Sequence, residues 1–164
     1  MKTRKLTIMA LSVALAMVLS FVESQIPAFV AIPGVKIGLA NIAVVFTLYK
    51  IGAKEAVLIS LVRVFLISLL FGSAASFVYR VAGAVFSLSG MLLLKKLNRF
   101  TYVAVSVVGG VLHNVGQIVM ACLLLETNLI TYYLPFLVLS GTIAGIVVGA
   151  AGAVMIHRIP LDVE

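Results

Sequence analysis

Long apolar runs, interrupted by small clusters of basic residues, set the pattern of this chain. Residues 6–22 carry no charge and follow a basic opening over residues 1–5. The run is longer than a typical signal-peptide core and no A-x-A site follows it, so a retained first helix is expected. Further helices are expected over residues 36–49, 55–71, 74–94, 102–125 and 132–156. Gly72-Ser73 makes a tight turn between the third and fourth, Lys95-Lys96 closes the fourth, and Arg158 and Pro160 close the sixth. The predicted fold is all-α: a polytopic membrane protein with six transmembrane helices in a single domain over residues 1–164.

The stretch ESQIPAFVAIPGVKIGLAN at 23–41 is the exception to this pattern. It is too broken to span a bilayer and too apolar for an ordinary solvated loop. Pro27 and Pro33 hold Ile26 and Ile32 extended, because the proline ring crowds the residue before it. Helix is expected to resume after Pro33-Gly34, with Lys36 in its first turn. A lysine there opposes the partial positive charge of the helix N-terminus. Two readings fit it: exposed N–H groups and the ammonium form a site for an anion, or Lys36 snorkels to the membrane surface. A second helix over 36–49 covers only about 21 Å, so the loop before it must fill the remaining depth.

Composition agrees with the pattern. Of 164 residues 63% are hydrophobic and 10% charged, with a mean hydropathy of +1.28, too apolar for a soluble domain of this size. The formal charge is +7, but the basic residues lie mostly at the ends of apolar segments without aromatic interleaving. They read as topology signals, and no nucleic-acid partner is expected. Lys2, Arg4, Lys5, Lys50, Lys54, Lys95, Lys96, Arg99 and Arg158 fall on one side of a six-span topology, and Lys36 alone falls among the opposite loops. The positive-inside rule puts both termini in the cytoplasm and the loop between helices one and two outside.

Against this apolar background the polar residues inside the spans stand out, since ionisable groups there generally face a cavity or a partner. Arg63 lies mid-way along helix three and Arg80 in the outer half of helix four. Ser76, Arg80, Gly83 and Ser87 share one stripe of helix four, where glycine and serine are expected to leave space beside the arginine. On helix five, Gly110, His113, Asn114 and Gln117 occupy an arc of about 100° and suggest a pocket wall. Glu23 is the acidic residue near the outer mouth, placed to pair with Lys36 or Arg80 when the site is empty. A ligand pocket and a buried polar network both fit these residues. In a pocket, the excess positive charge asks for a carboxylate or phosphate, which arginine binds bidentately. Small residues mark helix contacts: Gly141, Gly145 and Gly149 form a GxxxGxxxG ridge suited to internal packing, and Ala10 and Ala14 form a shorter ridge on helix one.

Other chemistries lack their residues. Cys122, the one cysteine, lies about 180° around helix five from His113, so no metal site is expected. Asp162, the sole aspartate, is in the C-terminal tail, which leaves no serine with a His-Asp pairing. No P-loop is present, and no cofactor is expected.

PGVKIGLAN at 33–41 and GGVLHNVGQ at 109–117 resemble a bacterial membrane family labelled heptaprenyl diphosphate synthase component I, also Gx transporter. The resemblance runs over nearly the whole chain. That family is in turn similar to the substrate-binding S components of energy-coupling factor transporters. Those are six-helix proteins that capture a vitamin or precursor from outside and dock on a transmembrane coupling subunit and two ATPases. The resemblance implies an S-component-like bundle, with Ala10 and Ala14 at the positions of the family's AxxxA docking motif; its continuation meets Val18 instead of alanine. Chain-elongating prenyl synthases bind Mg²⁺ and diphosphate through two aspartate-rich motifs. One aspartate and four glutamates scattered over both membrane faces cannot build that site, so no catalysis is expected. The expected function is capture of a small anionic or amphipathic metabolite (isoprenoid-, quinone- or flavin-related) from the outer face of the bacterial cytoplasmic membrane. Its binding residues would be Glu23, Lys36, Asn41, Arg63, Arg80, His113, Asn114 and Gln117. The alternative is a non-catalytic membrane accessory subunit that serves a soluble prenyltransferase.

Overall fold

A computed structural model of the chain describes residues 2–25 and 38–160. Within them every regular element is helical: α1 (Lys2–Gln25), α2 (Asn41–Lys50), α3 (Ala53–Phe71), α4 (Ala74–Leu97), α5 (Tyr102–Leu125), a 3-10 turn (Leu129–Tyr133) and α6 (Leu134–Arg158). Local chemistry sets the ends. Ser73 and Ser76 form a reciprocal capping box at the start of α4, with bonds of 2.8 and 3.2 Å. Thr101 opens α5 by accepting the Ala104 N–H. Asn98 and Glu126 end α4 and α5 in the left-handed conformation, with φ of 51° and 49°.

Four segments are long and apolar enough to cross a membrane: Thr3–Glu23, Ala74–Leu97, Tyr102–Leu125 and Leu129–Arg158. Large apolar side chains such as Leu69, Leu93, Leu123 and Leu139 point outward along these and the neighbouring helices, which suits contact with lipid. α3 has 19 residues and carries Lys54, Glu55 and Arg63 along its length.

α2 departs from expectation. Helix was expected from Lys36, but α2 begins at Asn41 and has 10 residues. The reason is Gly38, whose φ of +72° directs a turn in which Asn41 N–H donates to Gly38 O and Ile42 N–H to Leu39 O. Lys36 lies outside the described residues, so the first turn of α2 is built by Asn41. The short helix is buried almost all round: Ala43, Val44, Val45, Phe46, Thr47 and Leu48 are all inaccessible. It packs against α1, α3 and α6 and joins the main apolar core with Ala56, Leu88, Met91, Val105 and Ile156. At that same end Lys5 pairs with Glu55, and Lys95 donates to the Leu48 carbonyl and lies 5.3 Å from the Tyr49 ring.

The most extensive packing joins α5 to α4 and α6. The ridge on α6 serves this internal contact. A Cβ on Gly145 would lie 2.5 Å from the Val107 Cα, and one on Gly149 2.7 Å from the Val103 Cα. Backbone meets backbone here, which only glycine allows. The expectation of open space beside Arg80 fails at Gly83, whose missing Cβ makes room for the carbonyl of His113 at 2.9 Å and for Gln117. Ser76 is used in the cap, and Ser87 is buried with its hydroxyl donating to Met91 Sδ at 3.7 Å. Gly149→Val should therefore overpack the α5–α6 contact and destabilise the protein by about 1–3 kcal/mol. Thermal unfolding of the detergent-solubilised variant measures this, and an unchanged melting point would contradict the contact.

Candidate functional site

A helix of 10 residues rises about 15 Å, roughly half the thickness of a bilayer core. Where α2 stops, the other helices continue, and the space between them is a cavity of about 150 Å³. All six helices contribute to its wall. Asn41, the first residue of α2, meets it from below; Ser20 and Glu23 come from α1, Arg63 and Phe71 from α3, and Arg80 from α4. His113, Asn114 and Gln117 line it from α5, and Gly141 and Ala144 from α6. Seven of the eight residues expected to meet a ligand thus surround one cavity: Glu23, Asn41, Arg63, Arg80, His113, Asn114 and Gln117. The eighth, Lys36, lies outside the described residues.

The charges ring the cavity without closing on one another. Arg63 is 8% exposed, and its Nη1 donates to Asn41 Oδ1 over a long 3.4 Å. Arg80 is half-buried and makes no hydrogen bond to another described residue. Glu23 was expected to pair with Arg80 or Lys36 in the empty site. Instead its carboxylate accepts the Gly38 N–H at 2.5 Å, tying the end of α1 to the turn before α2. Both arginines still feel the Glu23 charge, and Arg63 also feels Arg80. The sole ion pair among the described residues is Lys5–Glu55, at the opposite end of the bundle. Among the described lining residues two positive charges therefore face one negative charge.

The α5 arc divides its labour. Asn114 is 7% exposed and its Nδ2 donates to Leu137 O at 2.7 Å, so it bridges α5 to α6 as well as lining the cavity. His113 and Gln117 lie against Gly83 of α4. Gly110 was expected to be a gap in the wall; a Cβ there would sit 2.6 Å from the Gly141 carbonyl, so helix packing takes up that space. Ser106 and Ser20 line the cavity and were missed, although Ser106 lies one turn before Gly110 and Ser20 one turn before Glu23. Among the described residues no group of three His, Cys, Asp or Glu side chains could hold a metal ion. Ala10 and Ala14 lie away from the cavity, exposed on the outer face of α1 together with Val18.

The chain belongs to the heptaprenyl diphosphate synthase component I family, whose model matches residues 12–155. The matched region contains every described residue of the expected binding set. No curated protein and no solved structure gives a match. Component I is a non-catalytic component, and this sequence, with its single aspartate, has no aspartate-rich motif. Asn114→Ala should remove the α5–α6 bond and lower stability by about 0.6–1.7 kcal/mol, the range for interhelical hydrogen bonds in membranes. Chemical or thermal unfolding in detergent reads this loss; no change would mean that Asn114 serves the cavity alone.

Proposed function

We propose that the protein is a non-catalytic membrane subunit that captures a small anionic or amphipathic metabolite in the cavity above α2. The observation that carries this reading is the convergence of Arg63, Arg80, Glu23 and the α5 polar arc, from four separate helices, on one enclosed space. Buried guanidinium groups need an anion, and one carboxylate cannot neutralise two of them. A carboxylate or phosphate group between Arg63 and Arg80 supplies the missing charge through bidentate hydrogen bonds. Asn41, His113 and Gln117 are near enough to orient it.

In this reading α2 and α3 are embedded with the four long helices, giving a six-helix bundle with both termini in the cytoplasm. The basic residues at the Lys5, Lys50, Lys95 and Arg158 end of the bundle support that orientation. The cavity then opens toward the outer half of the membrane. This arrangement suits a substrate-binding subunit of the energy-coupling factor type, which would hand its ligand on with a transmembrane coupling subunit and two ATPases. The exposed Ala10 and Ala14 give α1 a smooth outer face for such docking. Family membership favours a second reading, in which the subunit binds a prenyl diphosphate and partners a soluble prenyltransferase.

Anion capture is tested on Arg80. Arg80→Lys should weaken binding of the co-purifying ligand, because lysine cannot reproduce the planar fork. Arg80→Gln should weaken it by about 2–5 kcal/mol while leaving the fold intact. Calorimetry on the purified variants measures both; unaltered affinity in Arg80→Gln would sink the proposal. The two partner readings are separated by affinity purification from membranes, after a reporter fused behind Arg158 has confirmed its cytoplasmic side. Recovery of a coupling subunit and ATPases, lost in the Ala10→Leu/Ala14→Leu double variant, supports the transporter. Recovery of a prenyltransferase alone supports the accessory subunit.

A further inference from the structure

We propose that Glu23 sets the charge of the ligand: it is a resident counter-anion that makes the cavity selective for a compact group with one negative charge. The inference rests on the anion-binding reading above and adds the charge and size of what is bound.

Three observations support it. First, the lining carries Arg63 and Arg80 against Glu23, so one further negative charge brings the described wall to neutrality. A second negative charge would remain uncompensated beside a guanidinium that is 8% exposed, where unpaired charge is expensive. Second, Glu23 is anchored to the wall and does not span the cavity. Its carboxylate accepts the Gly38 N–H at 2.5 Å, and no arginine nitrogen lies within 4.0 Å of it. Its charge reaches both guanidinium groups while their hydrogen-bonding edges stay available. Third, about 150 Å³ is room for a group of roughly benzene size and well below the ~300–1,000 Å³ of sites for drug-sized ligands. A carboxylate or sulfonate-like oxyanion with a small substituent fits that volume; a dianion of the same size fits the volume but not the charge.

Glu23→Gln isolates the charge, because the amide oxygen can still accept the Gly38 N–H. Methanesulfonate and sulfate are suitable probes: both are small and tetrahedral, and they differ by one charge that does not titrate near neutrality. Binding to the full chain in nanodiscs, at constant ionic strength, is measured by calorimetry. The wild type should bind methanesulfonate about tenfold or more tightly over sulfate, the scale of one unit charge several ångströms away in a partly buried site. Glu23→Gln should abolish or reverse that preference, and Glu23→Asp should retain it. Glu23→Ala, which also removes the charge, provides the same comparison if the glutamine variant folds poorly. A preference unchanged in both neutral variants overturns the inference while leaving anion binding standing. Loss of both probes from a folded Glu23→Gln protein also overturns it, since Glu23 would then hold the ligand directly. If neither probe binds the wild type or any variant, the anion site itself falls.

Discussion

A helix too short to cross the bundle is the constraint on which this structure depends. α2 has 10 residues and is buried over most of its length, so it fills one end of the bundle with apolar side chains and leaves the other end unfilled. Its N-terminus at Asn41 becomes the boundary between a packed core and a cavity. Gly38 sets that boundary, because its left-handed backbone turns the chain immediately before the helix. The carboxylate of Glu23 then ties the turn to α1 through the Gly38 N–H. One carboxylate thus has two roles: it closes the backbone around the cavity and contributes the negative charge of its wall.

The rest of the bundle is built to keep that space in place. Glycines at the α5–α6 contact bring backbones together, and the Asn114 side chain bonds across it to Leu137 O. Such close packing holds His113, Asn114 and Gln117 on a rigid helix, at positions that a loop would not maintain. At the far end, Lys5–Glu55 and the Lys95–Tyr49 contact join α1 to α3 and α4 to α2. The wall around the cavity is therefore supported from below by the apolar core and from the side by glycine packing. The charged groups within it are left to face the space between them.

Much of the site was legible in the sequence because membrane helices exclude polar residues so strongly. Arg63, Arg80 and the His113–Asn114–Gln117 arc were conspicuous within apolar runs, and helical periodicity put the arc on one face. The start of α2 was not legible. Pro33-Gly34 is the stronger helix breaker by composition, but the turn that decides the boundary depends on the positive φ of Gly38, which the sequence does not display. The role of Gly83 was misread for a related reason. A glycine beside an arginine can leave a void or admit a neighbouring backbone, and only the placement of α5 shows that the second occurs. Glu23 was expected to meet a side-chain cation, and the nearer backbone N–H of Gly38 took its place. Ser20 and Ser106 escaped notice because a serine is a weak signal in any helix. The family assignment was legible in two short motifs, and the match over residues 12–155 agrees with it.

The most direct measurement of the central claim is a high-resolution structure of the protein purified from its own membranes with its bound material retained. An occupied cavity is predicted, with oxygen atoms of a small anion about 3 Å from the guanidinium nitrogens of Arg63 and Arg80. The Glu23 carboxylate should remain on the Gly38 N–H. A closed cavity, with Glu23 bridging both arginines directly and no density between them, would contradict it.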